Sequence, residues 1–267
     1  MIRLVVSDVD GTLVQPDKSL APSTVAAANR LRSAGIPLAI VSARPPRGIA
    51  WIADELGLAF TAGFNGGTVV RRDGTLLESH LVPADAARTA LDLLVRHGID
   101  AWLFTETEWL VVNPTGSHVP HERMTVRFDE RVVESFEPYI AQAGKITGVT
   151  DDAPRLAAVE AELQALLGQT ASAKRSQSYY LDVTNQAANK GNAVRLIARH
   201  AGVDPSEVAV LGDMANDLPM FDVAGFSIAM GNASAEVKAR ASAVTDANDA
   251  DGWARAVDRL ILARRTE

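Results

Sequence analysis

The chain has 267 residues, 47% of them hydrophobic and 22% charged, with a net charge of −7 at pH 7. These proportions exclude a disordered or low-complexity protein and allow one large domain or two modest ones, and the acidic balance argues against a nucleic-acid or anionic-membrane partner. With no cysteine in the sequence, disulfides, thiolate metal sites and cysteine nucleophiles are excluded.

The first element is a continuous apolar run, Ile2 to Val6, which suits a parallel strand buried on both faces. It leads into Asp8-Val9-Asp10-Gly11-Thr12, where two carboxylates two positions apart call for a cation between them. No apolar stretch long enough for a signal peptide precedes Asp8, and no later run reaches the ~18 apolar residues of a membrane span, so a cytoplasmic location is the expectation. Pro22 and Ser23 open a helix striped by Val25, Ala28 and Leu31 and closed by Gly35. Ile36 to Val41 reads as a second buried strand ending at Ser42-Ala43-Arg44-Pro45, and a helix carrying Ile49, Ile52 and Leu56 stops at Gly57. This βαβα order predicts a parallel sheet with right-handed crossovers.

Asn65-Gly66-Gly67 interrupts the rhythm, and Asp73-Gly74 between Thr68-Val69-Val70 and Leu76-Leu77 reads as a hairpin turn. From about Pro83 the texture changes. A helix with Ala87, Leu91 and Leu94 ends at His97-Gly98, strands follow at Ala101 to Phe104 and Trp109 to Val112, and no clear pattern runs from there to Val149. A helix from Pro154 to Leu167 and strands at Thr170 to Lys174 and Tyr179 to Val183 complete the block. Helices mixed with antiparallel strands predict a separate α+β module, 83–185, inserted into a core formed by 1–82 and 186–267. After Asn189-Lys190-Gly191 the βα rhythm returns: a helix with Val194, Ile197 and Ala201, a strand from Val208 to Leu211, the string Gly212-Asp213-Met214-Ala215-Asn216-Asp217, a strand at Phe226 to Ala229, and a last helix with Trp253, Val257 and Ile261.

Four polar clusters thus follow a predicted strand or open a helix: Asp8 and Asp10, Ser42 and Arg44, Lys190, and Asp213 with Asn216 and Asp217. Ligands of open α/β sheets bind at the carboxyl ends of the strands, where such clusters converge. The aspartates are hard oxygen ligands suited to Mg²⁺, and Ser42, Lys190 and Asn216 are donors of the kind that hold phosphate oxygens. That inventory suffices for a carboxylate to attack phosphorus and for a second carboxylate to manage protons.

The ordered strings DVDGT, SAR after a strand, NKG and GDMANDLPMF resemble the four motifs of the haloacid dehalogenase superfamily of phosphatases. The inserted module resembles the α+β cap of its Cof-like subfamily, class IIB (a C2B-type cap), and Phe64-Asn65-Gly66 and Ala229-Met230-Gly231-Asn232-Ala233 are also family-like. The resemblance implies a Rossmann-like α/β core and a Mg²⁺-dependent phosphatase acting through an aspartyl phosphate. It implies Asp8 as nucleophile, Asp10 as general acid/base that also offers its backbone carbonyl to the metal, Asp213 as metal ligand, and Asp217 supporting the metal directly or through water. Ser42 and Lys190 match phosphate-binding positions, joined by Asn216; serine stands at 42 where the family often has threonine. Arg44 either contacts substrate or pairs with a surface carboxylate. Asn65 either acts through its amide or shapes its turn, as does Asn232. His118 and His121 form an HxxH without the helical glutamate of a zinc site. Trp102, Trp109, Tyr179 and Tyr180 are core residues of the inserted module or stack on substrate.

The substrate implied is a small phosphorylated metabolite resembling a sugar phosphate, with specificity on the cap. A phosphomutase and a non-catalytic phospho-ligand module remain alternatives, and the oligomeric state is not legible.

Overall fold

The computed structural model describes residues 1–263. In chain order the elements are β1 (Leu4–Ser7), α1 (Pro22–Ser33), β2 (Leu38–Val41), α2 (Pro46–Leu56), β3 (Phe60–Gly63), β4 (Thr68–Arg71), β5 (Leu76–Ser79), α3 (Ala84–Arg96), β6 (Asp100–Phe104), β7 (Trp109–Val111), α4 (Val119–Val126), β8 (Arg131–Val132), β9 (Lys145–Val149), α5 (Ala153–Leu167), β10 (Ala171–Gln177), β11 (Tyr180–Asn185), α6 (Lys190–Ala201), β12 (Val208–Gly212), α7 (Leu218–Phe221), β13 (Phe226–Ala229), α8 (Ala235–Arg240), β14 (Ala243–Val244) and α9 (Gly252–Ala256). The packing divides the chain into two units. One comprises Met1–Ala43, Ile49–Leu77 and the chain from Asn189 onward; the other comprises Arg44–Gly48 and Glu78–Ala188.

The first unit is built on a sheet of order β14-β13-β12-β1-β2-β3-β4-β5. Its central pairs, from β13 through β3, are parallel, and β4 returns antiparallel to β3. Alternation explains why β1 reads as unbroken apolar sequence. Val5 joins a core with Leu31, Ile52 and Trp253, whereas its neighbours Leu4 and Val6 join another with Val194, Ile197 and Met220. Every residue of β1 is buried, so a polar side chain on either face would lose water without gaining a partner. Ser7 is the exception that is satisfied, accepting from Trp253 Nε1 at 2.9 Å and donating to the Asp8 carbonyl at 2.7 Å.

The second unit has a six-stranded sheet of order β10-β11-β9-β6-β7-β8, antiparallel except where β8 joins β7. Leu91, Leu94, Leu156 and Leu163 from α3 and α5 bury the face that carries Leu103, Ile146 and Leu181. The alternate residues Trp102, Phe104, Trp109 and Tyr180 are buried against one another, Trp102 edge-on to Trp109 at 5.1 Å and to Tyr180 at 5.3 Å. Tyr179 instead stacks on His118 at 4.2 Å.

Two features depart from the sequence reading. Phe60–Gly63 is a strand, although only one of its residues is large and apolar; its pairing with β2 comes from the sheet rather than from local preference. The last helix does not run on as one α-helix, because after α9 the turns widen to π geometry over Val257–Leu262. The stretch without a clear pattern contains α4, β8, a 3-10 turn over Glu137–Gln142, and β9. No helix among the described residues is long and apolar enough to cross a membrane.

Candidate active site

The loops after β1 and β12 and the start of α6 lie in the first unit and bring Asp8, Lys190, Asp213 and Asp217 together. Asp8 is tied to the neighbouring strand by its backbone N–H, which donates to the Leu211 carbonyl at 2.9 Å. Lys190 is the first residue of α6, whose N-cap Asn189 accepts from the Asn192 N–H. A helix N-terminus disfavours a cation, and this one is also buried. Its ammonium is held there by two carboxylates, donating to Asp8 Oδ1 and Asp217 Oδ1 at 2.5 Å each. Burial opposes the charge on Lys190, but Asp217 and Asp8 outweigh it and hold the lysine above its ordinary range. Gly191 is required beside it, since a Cβ there would meet the Pro219 carbonyl oxygen at 2.4 Å.

Asp217 has both oxygens engaged. While Oδ1 accepts from Lys190, Oδ2 accepts from the backbone N–H groups of Asp213 and Met214 at 2.9 Å each. It therefore sets the lysine and the Asp213 loop at once. Asp213 accepts from Thr12 at Oδ1, 3.0 Å, and from Asn232 Nδ2 at Oδ2, 3.2 Å. Gly11 makes this approach possible: its φ is +80°, and a Cβ would lie 2.3 Å from Asp213 Oδ2.

Oxygens of Asp8, Asp213 and Asp217 all lie within 4.8 Å of one another, and among the described residues this is the group that could hold a metal ion. Three carboxylates face one ammonium. Burial raises Asp8 well above the usual carboxylate range; Lys190 opposes this, and Asp217 and Asp213 add to it. Burial and then the Asp217 charge push Asp213 up to about 6, against the hydrogen bond from Thr12. A hard divalent cation among these oxygens would remove the repulsion, so the donor set fits Mg²⁺. The Asp10 carboxylate is outside the group, with Oδ1 2.7 Å from Lys18 Nζ.

Ser42 is buried at the end of β2, its N–H bonded to the Ala62 carbonyl and its own carbonyl accepting from Asn65 N–H at 2.8 Å. Asn65 both shapes its turn, at φ 58°, and uses its side chain, since Oδ1 accepts from Asn216 Nδ2 at 3.2 Å. Asn216 Oδ1 is buried with no hydrogen-bond partner. Arg44 is buried within the second unit and donates to the Thr125 carbonyl at 2.6 Å. His118 Nε2 donates to Asp151 Oδ1 at 2.7 Å.

Three contributors, Lys18, Thr12 and Asn248, were assigned no role in the sequence reading, and Asn232 was left between an amide role and a turn. Lys18 sits in a turn at φ 65° and reaches back to Asp10; no local pattern marks it. Thr12 was visible only as part of DVDGT. Asn232 does more than shape a turn, because Nδ2 also donates to the Gly11 carbonyl at 2.9 Å, and its Oδ1 accepts from the Asn248 N–H at 3.1 Å. Asn248 in turn donates to the Val14 carbonyl at 2.8 Å.

The sequence profile of the haloacid dehalogenase-like hydrolases matches residues 5–257. The chain is 29% identical over 265 residues to pyridoxal phosphate phosphatase YbhA of Escherichia coli K12, covering 95% of this chain and 96% of that protein. It is 29% identical over 245 residues to the HMP-PP phosphatase of Escherichia coli 55989, covering 90% and 88%. A haloacid dehalogenase-like hydrolase from Bacteroides thetaiotaomicron superposes with a TM-score of 0.91 at 28% identity, over 98% of this chain and 100% of that one.

Proposed function

Because the chain belongs to the haloacid dehalogenase-like hydrolases, we propose that it is a Mg²⁺-dependent phosphatase that hydrolyses phosphomonoesters of small metabolites through a phosphorylated Asp8. The observation that carries this reading is Lys190, buried between Asp8 and Asp217 at 2.5 Å from each, with Asp213 completing an acidic group around the same point. A structural ion pair needs one carboxylate per lysine; this surplus of carboxylates suits a cation and an anionic substrate meeting there.

In this mechanism the Asp8 carboxylate attacks phosphorus, and the bond from phosphorus to the leaving oxygen breaks. Lys190 neutralises charge on the nucleophile and the phosphoryl oxygens. Asp10 gives its proton to the leaving alcohol, then takes one from the water that attacks the aspartyl phosphate and releases inorganic phosphate. Ser42 and Asn216 donate to phosphoryl oxygens, Asn216 through Nδ2, which also donates to Asn65 Oδ1 at 3.2 Å. Asp8, Asp213, the Asp10 carbonyl and, directly or through water, Asp217 would hold Mg²⁺, which would supply electrostatic stabilisation of the transferring group. The inserted module, 83–185, selects the rest of the substrate; relatives named for pyridoxal phosphate and HMP-PP support a small phosphorylated metabolite, of which sugar phosphates are one class.

Hydrolysis of an aryl phosphate should require Mg²⁺, cease in EDTA, and release one inorganic phosphate per alcohol. Asp8→Asn should lower turnover by ~10⁴-fold or more. Wild-type turnover in that variant would refute the mechanism, and an isomerised sugar phosphate without phosphate release would identify a mutase instead.

A further inference from the structure

A cavity in the first unit, about 390 Å³, lies at the amino ends of β2 and β3, opposite the ends that carry the aspartates. Its size falls within the roughly 300–1,000 Å³ of small-molecule sites. Three arginines line it, Arg32 from the last turn of α1, Arg71 from the end of β4, and Arg72 just after it, and no aspartate or glutamate does. In a chain of net charge −7 that concentration of positive charge needs a cause. We propose that this cavity binds a small amphiphilic anion, with its carboxylate or phosphate group between Arg32 and Arg72 and its apolar body on Phe60, Ile36 and Leu56.

The guanidinium geometry carries the inference. Arg32 Nη2 donates to the Leu56 carbonyl at 2.7 Å and Arg72 Nη1 to the Gly57 carbonyl at 3.3 Å, so the C-terminal end of α2 aims both groups. A Cβ placed on Gly57 would lie 3.0 Å from Arg32 Nη2 and 3.5 Å from Arg72 Nη1. Two like charges therefore converge on one point. Capping of α2 explains one donor on each arginine and offsets roughly half a charge, which leaves most of two positive charges and most of ten N–H donors unused by it. Arg71 adds a third guanidinium to the lining, with Asp73 as its ion-pair partner at 3.8 Å. Guanidinium forks match the oxygens of a carboxylate or phosphate, and Phe60, Ile36 and Leu56, all buried, line the same cavity as an apolar floor.

The test is a titration of the ¹⁵N-labelled full-length protein with phenylphosphonate, followed residue by residue. Amides of Gly57, Phe60 and Arg72 should shift saturably, and the double variant Arg32→Gln/Arg72→Gln should weaken that binding at least tenfold while leaving shifts near Asp8 and aryl-phosphate turnover unchanged. The single variant Arg72→Lys, which keeps the charge and loses the fork, should weaken it as well. Shifts confined to the surroundings of Asp8, or equal affinity in the double variant, would overturn the proposal. Turnover reports separately on the phosphatase reading, which this site does not depend on.

Discussion

Among individual residues, Asp213 has the most telling electrostatics. Burial and the neighbouring Asp217 push it up to about 6 from an ordinary 3.8, so between those two values the folded protein binds more protons than the unfolded chain. Stability therefore falls as pH rises through that window, and the penalty, at most ~3 kcal/mol, is complete above pH 6. Asp8 is shifted in the same direction. With EDTA present, Asp213→Asn should gain thermal stability relative to wild type as pH goes from 4 to 7, because the amide has no proton to lose. Excess Mg²⁺ should reverse that ranking at pH 7. Melting curves of both proteins at the two pH values check the sign. The residue types at this site were legible, since aspartates two apart after a buried strand are costly without a cation. Their division of labour was not: that Asp217 spends both oxygens on Lys190 and the 213–214 backbone depends on directions no spacing encodes.

The loops after β1, β12 and β13 act together through Asn232. Its amide donates to the Gly11 carbonyl and to Asp213, and its oxygen accepts from Asn248, which also holds Val14. Asn232 touches neither the Asp8 carboxylate nor Lys190, so it is a positioning residue for Asp213. Removing such an outer partner weakens metal sites by ~10- to 100-fold. Asn232→Ala should show that loss in Mg²⁺ affinity by calorimetry, with a smaller fall in kcat at saturating Mg²⁺; unchanged affinity would reduce Asn232 to a turn former. The helices were legible because their stripes and terminal glycines are local. Lys18 was not, because its contact with Asp10 arises from a turn at positive φ that tertiary packing holds in place.

Across the whole chain, the proposed function assigns chemistry to the first unit and selectivity to the inserted module, 83–185. In the second unit, Lys145, Thr147 and Asp182 are buried together, with Thr147 donating to Asp182 at 2.8 Å, Lys145 3.6 Å from it, and the Lys145 ammonium 4.8 Å from the centre of the Phe104 ring. A few fixed polar groups in apolar surroundings are what discriminates one small molecule from another. Lys145→Met should therefore change the ratio of kcat/KM between two phosphate esters by tenfold or more, while Asp8→Asn lowers both alike; an unchanged ratio would place selectivity elsewhere. By itself the sequence determined the α/β class, the interruption of the βα rhythm by an α+β module, and the candidate site residues, because buried strands, helix stripes and motif order are written in consecutive residues. Only the tertiary structure decided that Lys190 bridges Asp8 and Asp217, that Asn232 holds Asp213, and that three arginines, from α1, the end of β4 and the residue after it, share a cavity. Those pairings join residues up to 182 positions apart, and the directions of their side chains come from packing.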